Sequence, residues 1–402
     1  MDFDFAKGVS EPGSSKIVLL VLDGLGGLPR ESDGKTELEA ANTPNLDQLA
    51  AEGICGLQQP AGWAVTPGSG PAHLGLFGYD AQRFVVGRGV LAALGVGFGL
   101  DMADVAARGN FCTVDDAGNV TDRRAGRIPT ERGAELCALL QEQVSIDGVE
   151  VFIQPVKEYR SLLVLRGEEL SGEISTTDPQ QTGVPPLEPR ALDSAAEKTV
   201  GYVKEFISQA REILKDHSPA NMLLLRGFAM RPDWPTIEDV YGLRCAAIAA
   251  YPMYRGVAQL VGMTPLKTED SFAAEMTTLS EAWNDHDFFY VHWKRTDSAG
   301  EDGDFDKKVA LIEEVDKEIP RLRELNPDVI IVTGDHSTPS KMKSHSWHPV
   351  PTLLWSPLAR RDPVTTFGET ACISGGLGPR MPATELLPLA VAHAGRFGKF
   401  GA

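Results

Sequence analysis

Two apolar runs, far apart in the chain, each end in potential ligands. KIVLLVLD (16–23) closes on Asp23 and passes into Gly-Leu-Gly-Gly; DVIIVTGDH (328–336) closes on Asp335 and His336. A short, unbroken Val/Ile/Leu stretch stopped by glycine is the pattern of a strand covered on both faces. Such strands belong to parallel sheets held between helices, and ligands collect outside their carboxyl ends. Folding alone does not ask for two strands tipped in this way. A shared site does.

Helical and extended segments alternate along most of the sequence. Thr43-Pro44 starts a helix that Gly53 stops, because proline is pre-set for a first turn and glycine ends one. Gly68-Ser69-Gly70-Pro71 leads into a short helix over AHLGLFG. Further helices are expected at 191–215, 307–319 and 384–394, and further strands at 221–225, 246–250, 287–293 and 352–356. Within 107–181 the rhythm changes to a ββαββ order, a hairpin followed by an amphipathic helix and two strands. The expected fold class is therefore α/β. A core of residues 1–106 and 182–402 holds a mostly parallel sheet between helices, and 107–181 forms a small inserted α+β domain. Residues 1–15 read as a loose leader.

The chain carries 38 basic and 56 acidic side chains, a net charge of −18. That excess argues against partners such as nucleic acid or an anionic membrane, although a local arginine cluster can still hold an anion. No apolar run approaches the ~20 residues of a membrane helix. Cys55, Cys112, Cys137, Cys245 and Cys372 are odd in number and scattered, with no CxxC. This fits a reduced, cytoplasmic protein without a disulfide framework or a cysteine zinc site. The start MDFDFAKGVSEPGSS is acidic and polar, unlike a signal peptide. Nothing in the sequence sets the oligomeric state.

Five short clusters carry the chemistry: Asp23; Ser69; Asp297 with Glu301 in TDSAGEDGD; Asp335-His336; and His345 in KSHSWHPVP. Each alone has an ordinary reading as a cap, a flexible turn, a solvated acidic loop or a surface imidazole. Together they offer hard oxygens and two imidazoles, a donor mix that suits Mn²⁺, Zn²⁺ or Mg²⁺ and is large enough for two ions. Paired ions ~3.5–4 Å apart are a common way to stabilise in-line phosphoryl displacement. Ser69 is the candidate nucleophile. Its glycine neighbours allow close approach of a phosphoryl group, and a helix N-terminus favours the developing charge. A cation at its oxygen would lower the hydroxyl pKa without a histidine base. Gly24-Leu25-Gly26-Gly27 lacks the GxGxxG spacing, and no Walker-type Gly-Lys-Ser/Thr occurs, so a nucleotide site has little support.

In chain order, VLLVLDGLGG, ANTPNLDQLAAEG, TPGSGPAHLGLFGYD, TDSAGEDGDFDKKVALIEEVD and VTGDHSTPSKMKSHSWHPVP resemble the archaeal-type 2,3-bisphosphoglycerate-independent phosphoglycerate mutases of the alkaline phosphatase superfamily. DRRAGRIP, TDPQQTGVPPLEP, NMLLLRG and YRGVAQLVGM extend the similarity over nearly the whole chain. The resemblance implies an alkaline-phosphatase-like core and two divalent metals, Mn²⁺ foremost, with Mg²⁺, Zn²⁺ or Co²⁺ as alternatives. It also implies a phosphoserine intermediate and interconversion of 3-phosphoglycerate and 2-phosphoglycerate, a step of glycolysis and gluconeogenesis, without 2,3-bisphosphoglycerate. Carried over by motif, it makes Ser69 the nucleophile. Asp23, Ser69, Asp335 and His336 would hold one metal; Asp297, Glu301 and His345 the other. His73 would lie near the phosphorylated substrate. Arg123, Arg124 and Arg127, joined by Arg160, would grip phosphate and carboxylate, to which bidentate guanidinium contacts are suited. The inserted domain would act as a substrate-binding lid.

Three departures stand out. Glu301 occupies a place where the family normally has histidine, which adds negative charge and favours harder ions. Arg255 stands where lysine is usual; it keeps the charge but is larger, flatter and almost never deprotonated. Ser-Gly-Pro follows Gly68 where Ser-Asp is common. These changes leave room for two other readings: a metal-dependent phosphomonoesterase or other phosphotransferase using the same serine, and a non-catalytic phospholigand-binding protein.

Overall fold

The computed structural model describes residues 2–401. Among them the strands are β1 (Ile17–Leu22), β2 (Ile54–Gln59), β3 (Val105–Val114), β4 (Val120–Asp122), β5 (Glu150–Lys157), β6 (Arg160–Arg166) and β7 (Met222–Met230). The remainder are β8 (Cys245–Ala249), β9 (Thr264–Leu266), β10 (Phe288–Trp293), β11 (Val329–Thr333), β12 (Val350–Trp355) and β13 (Gly378–Pro382). The chain divides into two compact units. One comprises the chain up to Val85 and from Trp234 onward, and the other is Val86–Asp233.

The first unit is built on an eight-stranded sheet in the order β13-β2-β12-β11-β1-β10-β8-β9. β11, β1, β10, β8 and β9 run parallel, while β12 is antiparallel to both neighbours. This is the mostly parallel α/β sheet that the unbroken apolar runs called for. β1 is buried along its whole length. Val18, Leu20 and Leu22 share one apolar cluster with Ile312, Val315, Ile319 and Leu322 of the helix Phe305–Glu324. Each such side chain, fully buried, contributes about 1.5–3 kcal/mol. The register pairs Leu22 with Trp293 and Val21 with Thr333. The carboxyl ends of β1, β10 and β11 therefore lie side by side.

Two local expectations need correction in this unit. The helix expected to end at residue 319 runs through Pro320 to Glu324. Its buried stripe continues on both sides of the proline, so packing outweighs a helix penalty of ~3 kcal/mol. The supposed loose leader contains the helix Phe3–Val9, capped by the Asp2 side chain on Asp4 N and Phe5 N. It is pinned by Ser10 Oγ, which donates to Val240 O at 3.1 Å.

The second unit has a sheet ordered β4-β3-β6-β5, with β7 also paired antiparallel to β3. The helices Thr130–Gln143 and Glu197–Leu214 supply Leu136, Leu140, Val203, Phe206 and Leu214 to its core. It is an α+β unit containing the ββαββ order, but it is wider than the expected 107–181. The segment expected as a core strand at 221–225 is part of β7, which pairs with β3 from Val105↔Met230 to Cys112↔Met222. Apolar strands read alike in either sheet; only pairing decides the owner. All five cysteines are buried and unbonded. Among the described residues no helix is long and apolar enough to cross a membrane.

Candidate active site

The three neighbouring strand ends deliver the acidic residues of the first unit to one place. Asp23 follows β1, Asp335-His336 follow β11, and Asp297 lies in the helix Arg295–Asp302 that follows β10. All four are fully buried. His336 Nε2 is 3.1 Å from Asp335 Oδ2 and 3.5 Å from Asp23 Oδ1. Ser69, at the start of the helix Ser69–Leu76, places its Oγ 3.3 Å from the same His336 Nε2. His345 Nε2 is 3.7 Å from Asp297 Oδ1, with its Nδ1 2.9 Å from Pro67 O.

Potential ligand atoms gather in two groups, Asp23/Asp335/His336 and Asp297/His336/His345, each with its atoms within 4.8 Å of one another. His336 belongs to both. Asp23 Oδ1 and Asp335 Oδ2 are buried and accept no hydrogen bond, an arrangement that is costly unless something positive sits against them. The orphaned oxygens and the carboxylate–imidazole chemistry fit a divalent cation. Glu301 lies outside both groups. Its side chain is 54% exposed, with Oε1 3.7 Å from His345 Nε2.

Electrostatics follow from burial and close partners. Burial works to raise the Asp23 carboxyl, but the Lys294 ammonium and the His292 imidazole outweigh it and hold the pKa well below the usual range. Asp335 is raised by burial and by Asp23, yet His336 and His73 bring it below its ordinary value. Burial works to lower His73, but Asp335 Oδ2, 3.3 Å from its Nδ1, raises it on balance. His73 Nδ1 is also 2.8 Å from Ser69 O, which ties the serine's backbone to the acidic cluster.

Sequence reasoning missed several residues of the cluster. His292, inside β10, has its Nε2 2.8 Å from Asp23 Oδ2 and its ring stacked on Tyr254 at 3.7 Å. Lys294 Nζ reaches Asp297 Oδ2 at 2.5 Å and Asp23 Oδ2 at 3.5 Å, one ammonium between two carboxylates. Thr338 Oγ1 donates to Asp297 Oδ1 at 2.5 Å and lies 3.0 Å from His336 Nδ1. The available signal was positional: each follows, or lies in, a strand already suspected.

The arginines fare unevenly. Arg255 Nη1 donates to Ala249 O and Ala250 O at 2.8 and 2.7 Å, capping the end of β8. In the second unit, Arg123 forms a bidentate pair with Asp178 (2.9 and 2.8 Å) and is not a free clamp. Arg124 and Arg127 are exposed on a turn whose amides, Arg124 N and Gly126 N, donate to Asp122. Arg160 is half-buried and its Nε has no partner; the same is true of Arg108. Burial lowers the Arg108 pKa, and Arg160, Arg88 and Arg226 lower it further. Arg108, Arg160 and Arg226 thus gather on β3, β6 and β7, and of these the sequence motifs identified only Arg160.

A family described as 2,3-bisphosphoglycerate-independent phosphoglycerate mutase matches residues 50–221. Proteins named "Probable 2,3-bisphosphoglycerate-independent phosphoglycerate mutase" are similar over the full length. The Thermus thermophilus protein is 49% identical over 404 residues, covering 100% of this chain and 99% of its own. The Aquifex aeolicus protein is 48% identical over 408 residues, covering 99% and 100%. A solved structure of the PH0037 protein from Pyrococcus horikoshii superposes with a TM-score of 0.80 at 30% identity, covering 97% of this chain and 100% of that one. The cofactor-independent phosphoglycerate mutase from Thermoplasma acidophilum gives 0.76 at 28% identity, covering 94% and 100%. On this full-length identity, the chain belongs to the 2,3-bisphosphoglycerate-independent phosphoglycerate mutase family.

Proposed function

We propose that the protein is a metal-dependent phosphoglycerate mutase that interconverts 3-phosphoglycerate and 2-phosphoglycerate through a phosphoserine at Ser69. The observation that carries this reading is the convergence of Ser69 Oγ, His336 and the buried carboxylates of Asp23 and Asp335 at the adjacent ends of β1 and β11. Asp23, Ser69, Asp335 and His336 would hold one divalent ion, and Asp297, His336 and His345 would supply donors to a second. Bound there, such ions supply Lewis-acid stabilisation of phosphoryl charge and a lowered pKa for a neighbouring hydroxyl.

The chain's own residues do the rest. Ser69 Oγ forms a bond to phosphorus as the bond from phosphorus to the substrate oxygen breaks, and the serine proton ends on the departing hydroxyl. Return of the phosphoryl group to the other hydroxyl of the retained glycerate reverses both transfers and completes the isomerisation. Ser69 stands at a helix N-terminus, where backbone amides favour an anionic group. His73 fixes the serine's backbone. Lys294, between Asp23 and Asp297, offsets carboxylate repulsion. Arg160 and Arg108 are the second unit's candidates for holding an anion.

The test is one assay. Metal-free protein is given 3-phosphoglycerate and single divalent ions, and both 2-phosphoglycerate and inorganic phosphate are followed. Isomer without phosphate is expected. Phosphate alone would establish a phosphomonoesterase, and Ser69→Ala with intact turnover would remove the phosphoserine route.

A further inference from the structure

The helix Phe305–Glu324 buries one ammonium. Lys308 is 0% exposed, and its Nζ donates to three backbone carbonyls: Gly24 at 2.8 Å, Gly26 at 3.2 Å and Thr338 at 2.9 Å. A charge is expensive to bury, and an apolar side chain would serve packing alone. The three acceptors belong to two loops. Gly24 and Gly26 follow Asp23 at the end of β1, and Thr338 follows Asp335-His336 at the end of β11.

These loops are knit further around the same point. Thr338 N lies 3.2 Å from Gly24 O and 3.0 Å from Gly26 O. Gly24 N donates to Asp335 Oδ1 at 3.0 Å, and Thr338 Oγ1 reaches Asp297 and His336. The helix bearing Asp297 is admitted by Gly300, where a β-carbon would fall 2.3 Å from Thr338 O. Asp23, Asp335 and Asp297 are thus each one hydrogen bond, or one residue, from a residue whose backbone Lys308 holds.

We propose that Lys308 is a positioning residue for the metal ligands. It locks the loops after β1 and β11 at a fixed separation, so that Asp23, Asp335 and His336, and through Thr338 also Asp297, stand at ligand distance before any cation binds. This rests on the metal-binding reading above and adds a residue that touches neither metal nor substrate. Preorganised ligands bind more tightly because the ordering cost is met in folding.

The test compares Lys308→Met with Leu322→Ala, a core truncation on the same helix, both well below their melting temperatures. Outer partners of metal ligands typically contribute 10–100-fold in affinity, so Lys308→Met should bind Mn²⁺ about 10–100-fold more weakly by calorimetry. Leu322→Ala should lower the melting temperature but keep wild-type Mn²⁺ affinity. In metal-free protein the amides of Gly24 and Thr338 should exchange hydrogen faster in Lys308→Met and not in Leu322→Ala. Should Lys308→Met not fold, Lys308→Gln, whose shorter side chain offers two donors for the three carbonyls, takes its place in both measurements with a smaller expected loss. Unchanged Mn²⁺ affinity in the lysine variant, or an equal loss in Leu322→Ala, overturns the proposal. A wild-type protein that binds no Mn²⁺ while the exchange difference persists would instead remove the metal reading and keep the loop-locking role.

Discussion

His336 and His345 stack with ring centroids 3.6 Å apart and planes 25° from parallel. The stack brings an imidazole from the loop after β11 against one from the segment that precedes β12. His336 serves both ligand groups, while His345 serves one. His336→Ala is therefore expected to abolish Mn²⁺ binding, whereas His345→Ala should leave a single equivalent. Calorimetric stoichiometry reads both, and two equivalents in His345→Ala would contradict the grouping.

Glu301 replaces an expected histidine, yet its carboxylate is largely in solvent and outside both ligand groups. Surface substitutions away from special features change stability by about ±0.5 kcal/mol or less. Glu301→Ala should accordingly unfold at nearly the wild-type urea concentration. Its Mn²⁺ affinity should fall by far less than the 10–100-fold typical of residues that orient ligands. A loss of that size would make Glu301 a true ligand.

Asp178 gives the second unit a pH-dependent strut. Burial works to raise its carboxyl, but Arg123 outweighs burial and the pKa lies below the ordinary value. A depressed folded-state pKa stabilises the protein above the unfolded value of ~3.9 and loses that contribution as pH falls through the folded value. Asp178→Asn should therefore be less stable than wild type at pH 7, by about 1–3 kcal/mol for the arginines it leaves without their carboxylate. The difference should shrink as pH drops below ~4. Urea unfolding at several pH values measures it, and a gap that persists at acid pH would refute the linkage.

Two glycines separate backbone strain from damage to the site. Gly24 and Gly34 both have positive φ, +65° and +71°. A β-carbon on Gly34 would meet open space, whereas one on Gly24 would come within 2.6 Å of Thr338 Oγ1 and 2.7 Å of Asp297 Oδ1. Gly34→Ala should cost only the left-handed backbone term, ~1–2 kcal/mol. Gly24→Ala should cost more and weaken Mn²⁺ binding, because Asp297 must move. Equal affinities in the two variants would show that Asp297 is dispensable.

Strand ends were legible because their chemistry is local. An apolar run that stops on Asp23 or Asp335 announces both burial and a ligand, and Pro44 and Gly53 bound their helix as the residue types require. What depends on pairing was not legible. His292 sits in an otherwise apolar strand, and only its register against Val21 turns it toward Asp23. Lys308 looks like part of a solvated helix face, and only the packing of that helix on the β1 and β11 loops buries it. Arg123 read as an anion clamp because its partner, Asp178, lies 55 residues along the chain. The margins of the inserted unit were missed for the same reason, since β7 is assigned by its neighbour β3 and not by its composition.

The close approach of Gly87 to Ala229, where a β-carbon on the glycine would fall 2.2 Å from the alanine's, has an evolutionary side. The second unit, Val86–Asp233, starts and finishes within a few residues of that contact, so its two ends emerge as a closely spaced pair of threads. A module tethered in this way can be grafted, trimmed or exchanged between relatives by a cut at one spot, without re-routing the remaining polypeptide.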